Sequence, residues 1–340
     1  MTRRLKATAL AALFASTSAT AAFADDTIKI AINEWTGQHL SAYIAGAVLE
    51  EMGMEVEYVT AGAVPQITAL SDGSLHFNPE IWTNNSGDIF VKAVDAGDVE
   101  VVGDLGLSPR EGWYYPPYMA EKCPGLPSYE ALYDCAQAFA AADTFPNGRL
   151  ITYPADWGTR SKELVEAIDV PFQPVAGGSE GAMLAEMKSA LAAEQPMLMM
   201  FWEPHWIHAE VKLDMVEWDR SSPECDFETG QKRGDACGFS QADVLKVVSA
   251  DFAEDFPEAY AFIQSYALDN ATQNALIQKV DQDGMDVEEA VAEWMGANES
   301  TWKGWMTGGG ASDTNAAILS QLEEIQASIM ALEKMLEGAE

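Results

Sequence analysis

Positive charge is what this sequence has least of. Its 340 residues carry 19 Lys and Arg against 54 Asp and Glu, a formal charge of -35. A phosphate backbone is held by clustered Lys and Arg, so this balance excludes nucleic acid as a partner. It leaves an acidic surface that keeps a protein soluble and draws cations, screened beyond about 10 Å in salt water. Long apolar runs are missing too. The N-terminal one, from Ala7 to about Leu13, falls far short of the ~20 residues that span a bilayer, and no later segment approaches that length. Cysteine is limited to four residues, and no two of them stand two to four apart as structural zinc ligands usually do.

What is present begins with an address. Arg3, Arg4 and Lys6 precede that short apolar run, and Ala22-Phe23-Ala24 fits the small-x-small pattern of a signal-peptidase site. Residues 1–24 therefore read as a signal peptide cleaved after Ala24, which makes the mature chain an exported, periplasmic protein. An apolar fraction of 48% and roughly 315 remaining residues suffice for two domains with substantial cores. In an exported chain disulfides persist. Cys123, Cys135, Cys225 and Cys237 allow three pairings, of which the economical one joins Cys123 to Cys135 and Cys225 to Cys237.

From Thr27 short apolar strands alternate with amphipathic helices. Strands are expected at Thr27–Asn33, Val56–Thr60, Leu75–Trp82 and Val99–Leu105, with helices at Leu40–Met52, after Pro65 and at Gly87–Ala96. A second set follows, with strands at Gly112–Tyr115, Arg149–Tyr153, Phe172–Val175 and Pro196–Trp202. Such alternation predicts an α/β fold with mostly parallel sheets covered by helices. After the turn-rich stretch from Val216 through Cys237 the chain reads as helical, most clearly at Asp251–Ala267, Ala271–Val280 and Val287–Met295. Residues 307–312 are a Gly-rich linker. Residues 313–337 carry a heptad seam of Ile318, Leu322, Ile325, Ile329, Leu332 and Leu336, an amphipathic helix suited to homo-oligomer formation or to docking on its own globule.

Tryptophan is the abundant residue, ten in all, and several stand where a strand gives way to a loop. Ligands of open α/β sheets bind beyond the carboxyl ends of strands, which makes Trp35, Trp82, Trp157 and Trp202 candidates for one cleft. Trp113 and Tyr114 lie where the chain leaves its first lobe. Ring faces attract soft cations such as trimethylammonium, at about 0.5 to 2 kcal/mol per desolvated ring. Trp294, Trp302 and Trp305 read instead as helix-packing residues.

Trp35-Thr36-Gly37, Glu80-Ile81-Trp82, Gly112-Trp113-Tyr114-Tyr115-Pro116 and above all Trp202-Glu203-Pro204-His205-Trp206 resemble the substrate-binding proteins of ABC transporters for glycine betaine, choline and trimethylamine N-oxide. The likeness covers about residues 27–306. It implies a two-lobed periplasmic binding protein, type II-like, that closes on a methylated ammonium ligand and hands it to a membrane permease. It also implies an aromatic-cage role for Trp35, Trp82 and Trp202. Lobe 1 is expected at 26–111 and 212–306 and lobe 2 at 112–211, with the cleft between them. No cofactor and no metal are expected, and the paired cysteines and heptad tail depart from the family pattern.

The ligand's second end would need its own partner. A carboxylate wants donors such as His205, Asn33 or the backbone N–H groups of Thr36 and Gly37. A hydroxyl or protonated oxide wants an acceptor such as Glu34, Glu80 or Glu203. Carboxylates outnumber donors there and Arg is absent nearby, which tilts the reading toward choline or trimethylamine N-oxide.

Three rival readings complete the expectations. Gly177-Gly178-Ser179-Glu180-Gly181 matches a nucleophile elbow, making an exported serine hydrolase using Ser179 the alternative, although no acid-then-His order follows it. Ser179 is more simply a helix N-cap. An interaction or scaffold protein assembled through the C-terminal helix is the other class. Asp281, Asp283, Asp286 and Glu288 suggest a calcium loop over Asp281–Glu289, but their spacing departs from the EF-hand pattern and fits a helix start better.

Overall fold

The computed structural model of the chain describes residues 27–83, 86–218, 237–239 and 242–307. Eleven strands are present: β1 (Thr27–Ile32), β2 (Glu55–Thr60), β3 (Phe77–Trp82), β4 (Val99–Asp104), β5 (Arg110–Tyr115), β6 (Pro124–Pro127), β7 (Gly148–Thr152), β8 (Phe172–Ala176), β9 (Met199–Glu203), β10 (Asp214–Met215) and β11 (Val244–Ser249). Ten of these strands form two five-stranded sheets, ordered β2-β1-β3-β11-β4 and β10-β5-β9-β7-β8, and β6 lies outside both. Each is the center of one lobe of a two-lobed α/β fold.

The sheets are mixed rather than mostly parallel. β1 runs parallel to β2 and β3, and β7 runs parallel to β8 and β9. β11 is antiparallel to both β3 and β4, as β5 is to β9 and β10. Both exceptions are strands that arrive from the other lobe. Such a strand is not tied to its neighbor by a βαβ crossover, so its direction is free of that constraint. The first crossing spans 105–109 and the return lies between β10 and β11. Pairing thus puts Arg110 and the Asp214–Met215 strand in the second sheet, a few residues outside the limits of 112–211.

β11 is the strand that the helical reading of this region misses. Its sequence VLKVVS is a short apolar run with Val244, Val247 and Val248 fully buried, a pattern that does not by itself separate strand from helix. Lys246 is buried in it and donates to the carbonyls of Tyr266 and Gln264. The helix expected at Asp251–Ala267 breaks into Phe252–Asp255 and Pro257–Ser265, because Pro257 cannot continue a helix but starts one well.

The C-terminal helices Asn270–Asp281, Val287–Ala297 and Glu299–Met306 return to the first lobe. There the first two pack on helix Thr36–Glu51. Trp294 stacks on Trp305 at 5.8 Å, and the Trp302 indole donates to the Met295 carbonyl at 2.9 Å, so these tryptophans are helix-packing residues. Cys123 and Cys135 form a disulfide with Cα atoms 5.3 Å apart. Cys237 is disulfide-bonded as well, while Cys225 lies outside the described residues, as do the signal peptide, the linker and the heptad segment. Among the described residues no helix is long and apolar enough to cross a membrane.

Candidate functional site

Four tryptophans, two from each lobe, meet between the lobes. Asn33 ends β1 by accepting the backbone N–H of Trp35 at 2.8 Å, which leaves Trp35 extended at the N-cap of helix Thr36–Glu51. Trp82 is the last residue of the wholly buried β3. In the other lobe, Trp157 sits in a turn closed onto the Pro154 carbonyl at 3.0 Å, and Trp202 is near the end of β9. Trp35 is the hub: its ring centroid is 5.0 Å from Trp82, 5.7 Å from Trp157 and 5.5 Å from Trp202. The first two contacts are edge-to-face and the third is stacked, the offsets that aromatic quadrupoles prefer.

A cavity opens on one side of this cluster, walled by Trp35, Trp82, Trp157 and Tyr153 with Asn33, Gln66, Asn78 and Glu80. Trp202 is not on that wall. It buttresses Trp35 and Trp157 from behind, 5.7 Å from the latter. The wall contains no Lys, Arg or His. The indole nitrogens of Trp35 and Trp157 are buried and unpartnered, whereas Trp82 donates to Glu80 Oε1 at 3.0 Å. A buried N–H without an acceptor is costly, so the Trp35 and Trp157 donors suit an acceptor brought by a guest.

Glu80 is held from behind the rings. Its Oε2 accepts from Ser41 Oγ at 2.6 Å and Gln273 Nε2 at 3.0 Å. Burial pushes its carboxyl up to about 7, against the hydrogen bonds that favor the charged form. Gln38, Gln66 and Asn78 extend the same network, Asn78 Nδ2 donating to Gln66 Oε1 at 2.8 Å. Fully bonded buried polar groups of this kind fix one arrangement of the wall. Sequence reading missed Glu111, which is buried and accepts from the Tyr153 hydroxyl at 2.6 Å. Its alternation with Trp113 along β5 was the available signal.

Other expected site residues lie elsewhere. Trp113 is interior to lobe 2, its indole donating to Ser161 Oγ at 3.0 Å and its ring packed on Trp218 and Phe239. Strand β5 starts two residues earlier than expected, and Trp113 lies inside it rather than at the crossing between the lobes. Tyr114 donates to Glu203 at 3.3 Å and packs on His208, away from the cavity wall. Glu34 is exposed.

His205 belongs to a latch between the lobes. Its Nδ1 accepts from the Ile207 backbone at 3.1 Å, which makes Nε2 the donor to Glu180 Oε1 at 3.0 Å. Glu180 Oε2 accepts the backbone N–H of Thr36 in the first lobe at 3.0 Å. Beside it, Asp281 accepts from Thr36 Oγ1 at 2.6 Å and from Trp206 Nε1 at 3.0 Å. Burial, then the nearby Glu180 charge, raises the Asp281 carboxyl. The ligand atoms of Glu180, His205 and Asp281 lie within 4.8 Å of one another, a spacing compatible with a metal ion. Each already has a protein partner, so the geometry does not ask for one. The lobes also touch where Gly62 meets Asp156: a Cβ there would come within 2.6 Å of the Asp156 carboxylate.

Ser179 caps helix Glu180–Ala192, its hydroxyl accepting from the Ala182 N–H at 3.2 Å. With both ring nitrogens of His205 engaged, no Ser–His pair is assembled there. Asp281 turns to the latch rather than to a loop with Asp283, and Asp286 occupies the N-cap position of helix Val287–Ala297.

The chain matches the family described as the substrate binding domain of ABC-type glycine betaine transport systems over residues 26–297. The trimethylamine N-oxide-binding protein of Pelagibacter ubique is 28% identical over 283 residues, 81% of this chain and 89% of that protein. An ABC-transporter choline-binding protein in complex with choline superposes with a TM-score of 0.71 at 20% identity, over 85% of this chain and 94% of that one. Lactococcal OpuAC, closed on glycine betaine, gives 0.67 at 17% identity, over 83% and 100%. The chain belongs to the family of substrate-binding domains of ABC-type glycine betaine transport systems.

Proposed function

We propose that this protein binds a small methylated-ammonium osmolyte in the periplasm and delivers it to the permease of an ABC importer. The observation that carries the reading is the convergence of Trp35, Trp82 and Trp157 from both lobes on one cavity, with Trp202 packed against Trp35 and Trp157. Rings over a desolvated cation contribute about 0.5 to 2 kcal/mol each, so the three wall rings supply up to about 6 of the ~8 kcal/mol of a micromolar complex. Because the rings come from both lobes, a ligand among them contacts both and favors the closed form, which is the form a permease distinguishes from the open one. Capture and release need no bond chemistry, and the protein acts as a carrier rather than an enzyme.

Trimethylamine N-oxide and choline fit better than glycine betaine. The wall offers two unpartnered indole donors and a carboxylate but no cationic side chain. The similarity to a trimethylamine N-oxide-binding protein supports the same choice. Titration of the protein's tryptophan fluorescence with the three ligands tests it. A saturable change in the micromolar range is expected for at least one, and no change with any would refute the reading.

A further inference from the structure

We infer that Glu180 is a specificity residue that keeps carboxylate-bearing ligands out of the tryptophan box. The inference rests on the methylated-amine reading above. In a betaine the carboxylate is one methylene from the ammonium nitrogen. With the ammonium among the rings, its carboxylate must find N–H donors at the edge of the box. Two donors stand beside the box, outside the cavity wall and next to the Trp35–Trp202 contact: the backbone N–H of Thr36, next in the chain to Trp35, and His205 Nε2, whose ring lies 5.3 Å from that of Trp202.

Both are taken by the same side chain. Glu180 receives Thr36 N on one oxygen and His205 Nε2 on the other, each at 3.0 Å. The protein's own carboxylate therefore takes two donors that a ligand carboxylate reaching past the rings could otherwise use. Glu180 is buried, and the Ile207 N–H fixes the His205 tautomer that donates to it. An anionic ligand end meets like charge in a site where solvent screens little, and no Lys, Arg or His on the cavity wall offsets it. A hydroxyl carries no charge to repel, and an N-oxide oxygen, though formally negative, is bonded directly to the ammonium nitrogen that offsets it and stays among the rings, where either can take the unpartnered indole N–H groups. The discrimination works by repulsion of the wrong ligand as much as by attraction of the right one.

The test is calorimetric titration of the full chain, wild type and the variants Glu180→Gln and Glu180→Ala, with trimethylamine N-oxide, choline and glycine betaine. The wild type is expected to bind its best carboxylate-free ligand at least tenfold more tightly than glycine betaine. Removing the charge should raise glycine betaine affinity at least tenfold while the carboxylate-free ligand changes less than threefold or weakens. Thermal unfolding identifies the variants that are folded. A merely structural role for Glu180 would weaken all ligands together and leave their ratio unchanged, which overturns the inference. Wild-type protein that binds glycine betaine as tightly as the others also overturns it, without recourse to any variant. Wild-type protein that binds none of the three overturns the methylated-amine reading and this inference with it.

Discussion

Trp35 and Trp202 lie face to face across the two lobes, ring centroids 5.5 Å apart and planes 25° from parallel. One ring is fixed by the Asn33 turn at the end of β1 and the other by β9, so this contact closes only when the lobes close. The box is therefore a property of the closed molecule, and its energetics are coupled to the lobe equilibrium.

Truncating the box should show this directly. Trp35→Ala, Trp82→Ala and Trp157→Ala each remove a wall ring and should weaken methylated-amine binding ten- to hundredfold, about 1.4 to 2.7 kcal/mol. Trp202→Ala removes the buttress and should weaken binding by a similar factor through the misplaced Trp35. Trp294→Ala, in the helix packing of lobe 1, should leave affinity within about threefold when folded protein is titrated. Equal losses at Trp35 and Trp294 would contradict the assignment.

The Asp281 latch should act on closure rather than on ligand choice. Asp281→Asn turns one acceptor into a donor against Thr36 Oγ1 or Trp206 Nε1, at a cost of about 1 kcal/mol. Binding should weaken about three- to tenfold for every ligand, mostly as faster dissociation in stopped-flow fluorescence. A changed ranking of ligands would place Asp281 in recognition instead.

Glu80 gives a pH signature. Burial raises its carboxyl from an ordinary 4.5 to about 7. Between those values the folded protein keeps a proton that the unfolded chain releases, so stability falls as pH rises through the window. The loss attributable to Glu80 is at most about 3 kcal/mol and is complete above pH ~7. Glu80→Gln removes this term. Chemical denaturation should therefore show the wild type losing stability relative to the variant between pH 5 and pH 8, whereas parallel profiles would contradict the burial argument.

The Cys123–Cys135 disulfide closes a short loop in lobe 2, away from the box. Replacing both residues by Ser should cost about 3 kcal/mol of stability on the chain-entropy estimate and leave ligand affinity within about twofold. A large loss of affinity would mean that the loop helps position the site.

Much of this architecture is legible in the sequence because its signals are local. Apolar runs and turns mark both sets of βα units, and the N-cap role of Ser179 follows from its place before a helix. Trp35, Trp82, Trp157 and Trp202 could be proposed together because strand ends share one edge of a sheet. Trp113 is a candidate by its place near the crossing between lobes, and the folded chain puts it inside β5 and against Ser161. β11 is illegible because a run of six residues, four of them apolar, has no periodicity long enough to separate strand from helix. The latch is illegible for another reason. Thr36 and Glu180 stand 144 residues apart, and Thr36 and Asp281 stand 245 apart, so only the folded chain brings them together.

The central claim is that the box holds its ligand by the ligand's positive charge. Calorimetry against neutral carbon isosteres tests that most directly: trimethylamine N-oxide beside tert-butanol, and choline beside 3,3-dimethylbutan-1-ol. Shape and apolar area are nearly equal within each pair; carbon replaces the quaternary nitrogen in both, and in the first pair the oxide oxygen also becomes a hydroxyl, so the choline pair isolates the charge. The account predicts micromolar or tighter binding of at least one ammonium ligand and at least about thirtyfold weaker binding of its isostere, some 2 kcal/mol. Equal affinity within both pairs, or no binding by either ammonium ligand, would contradict it.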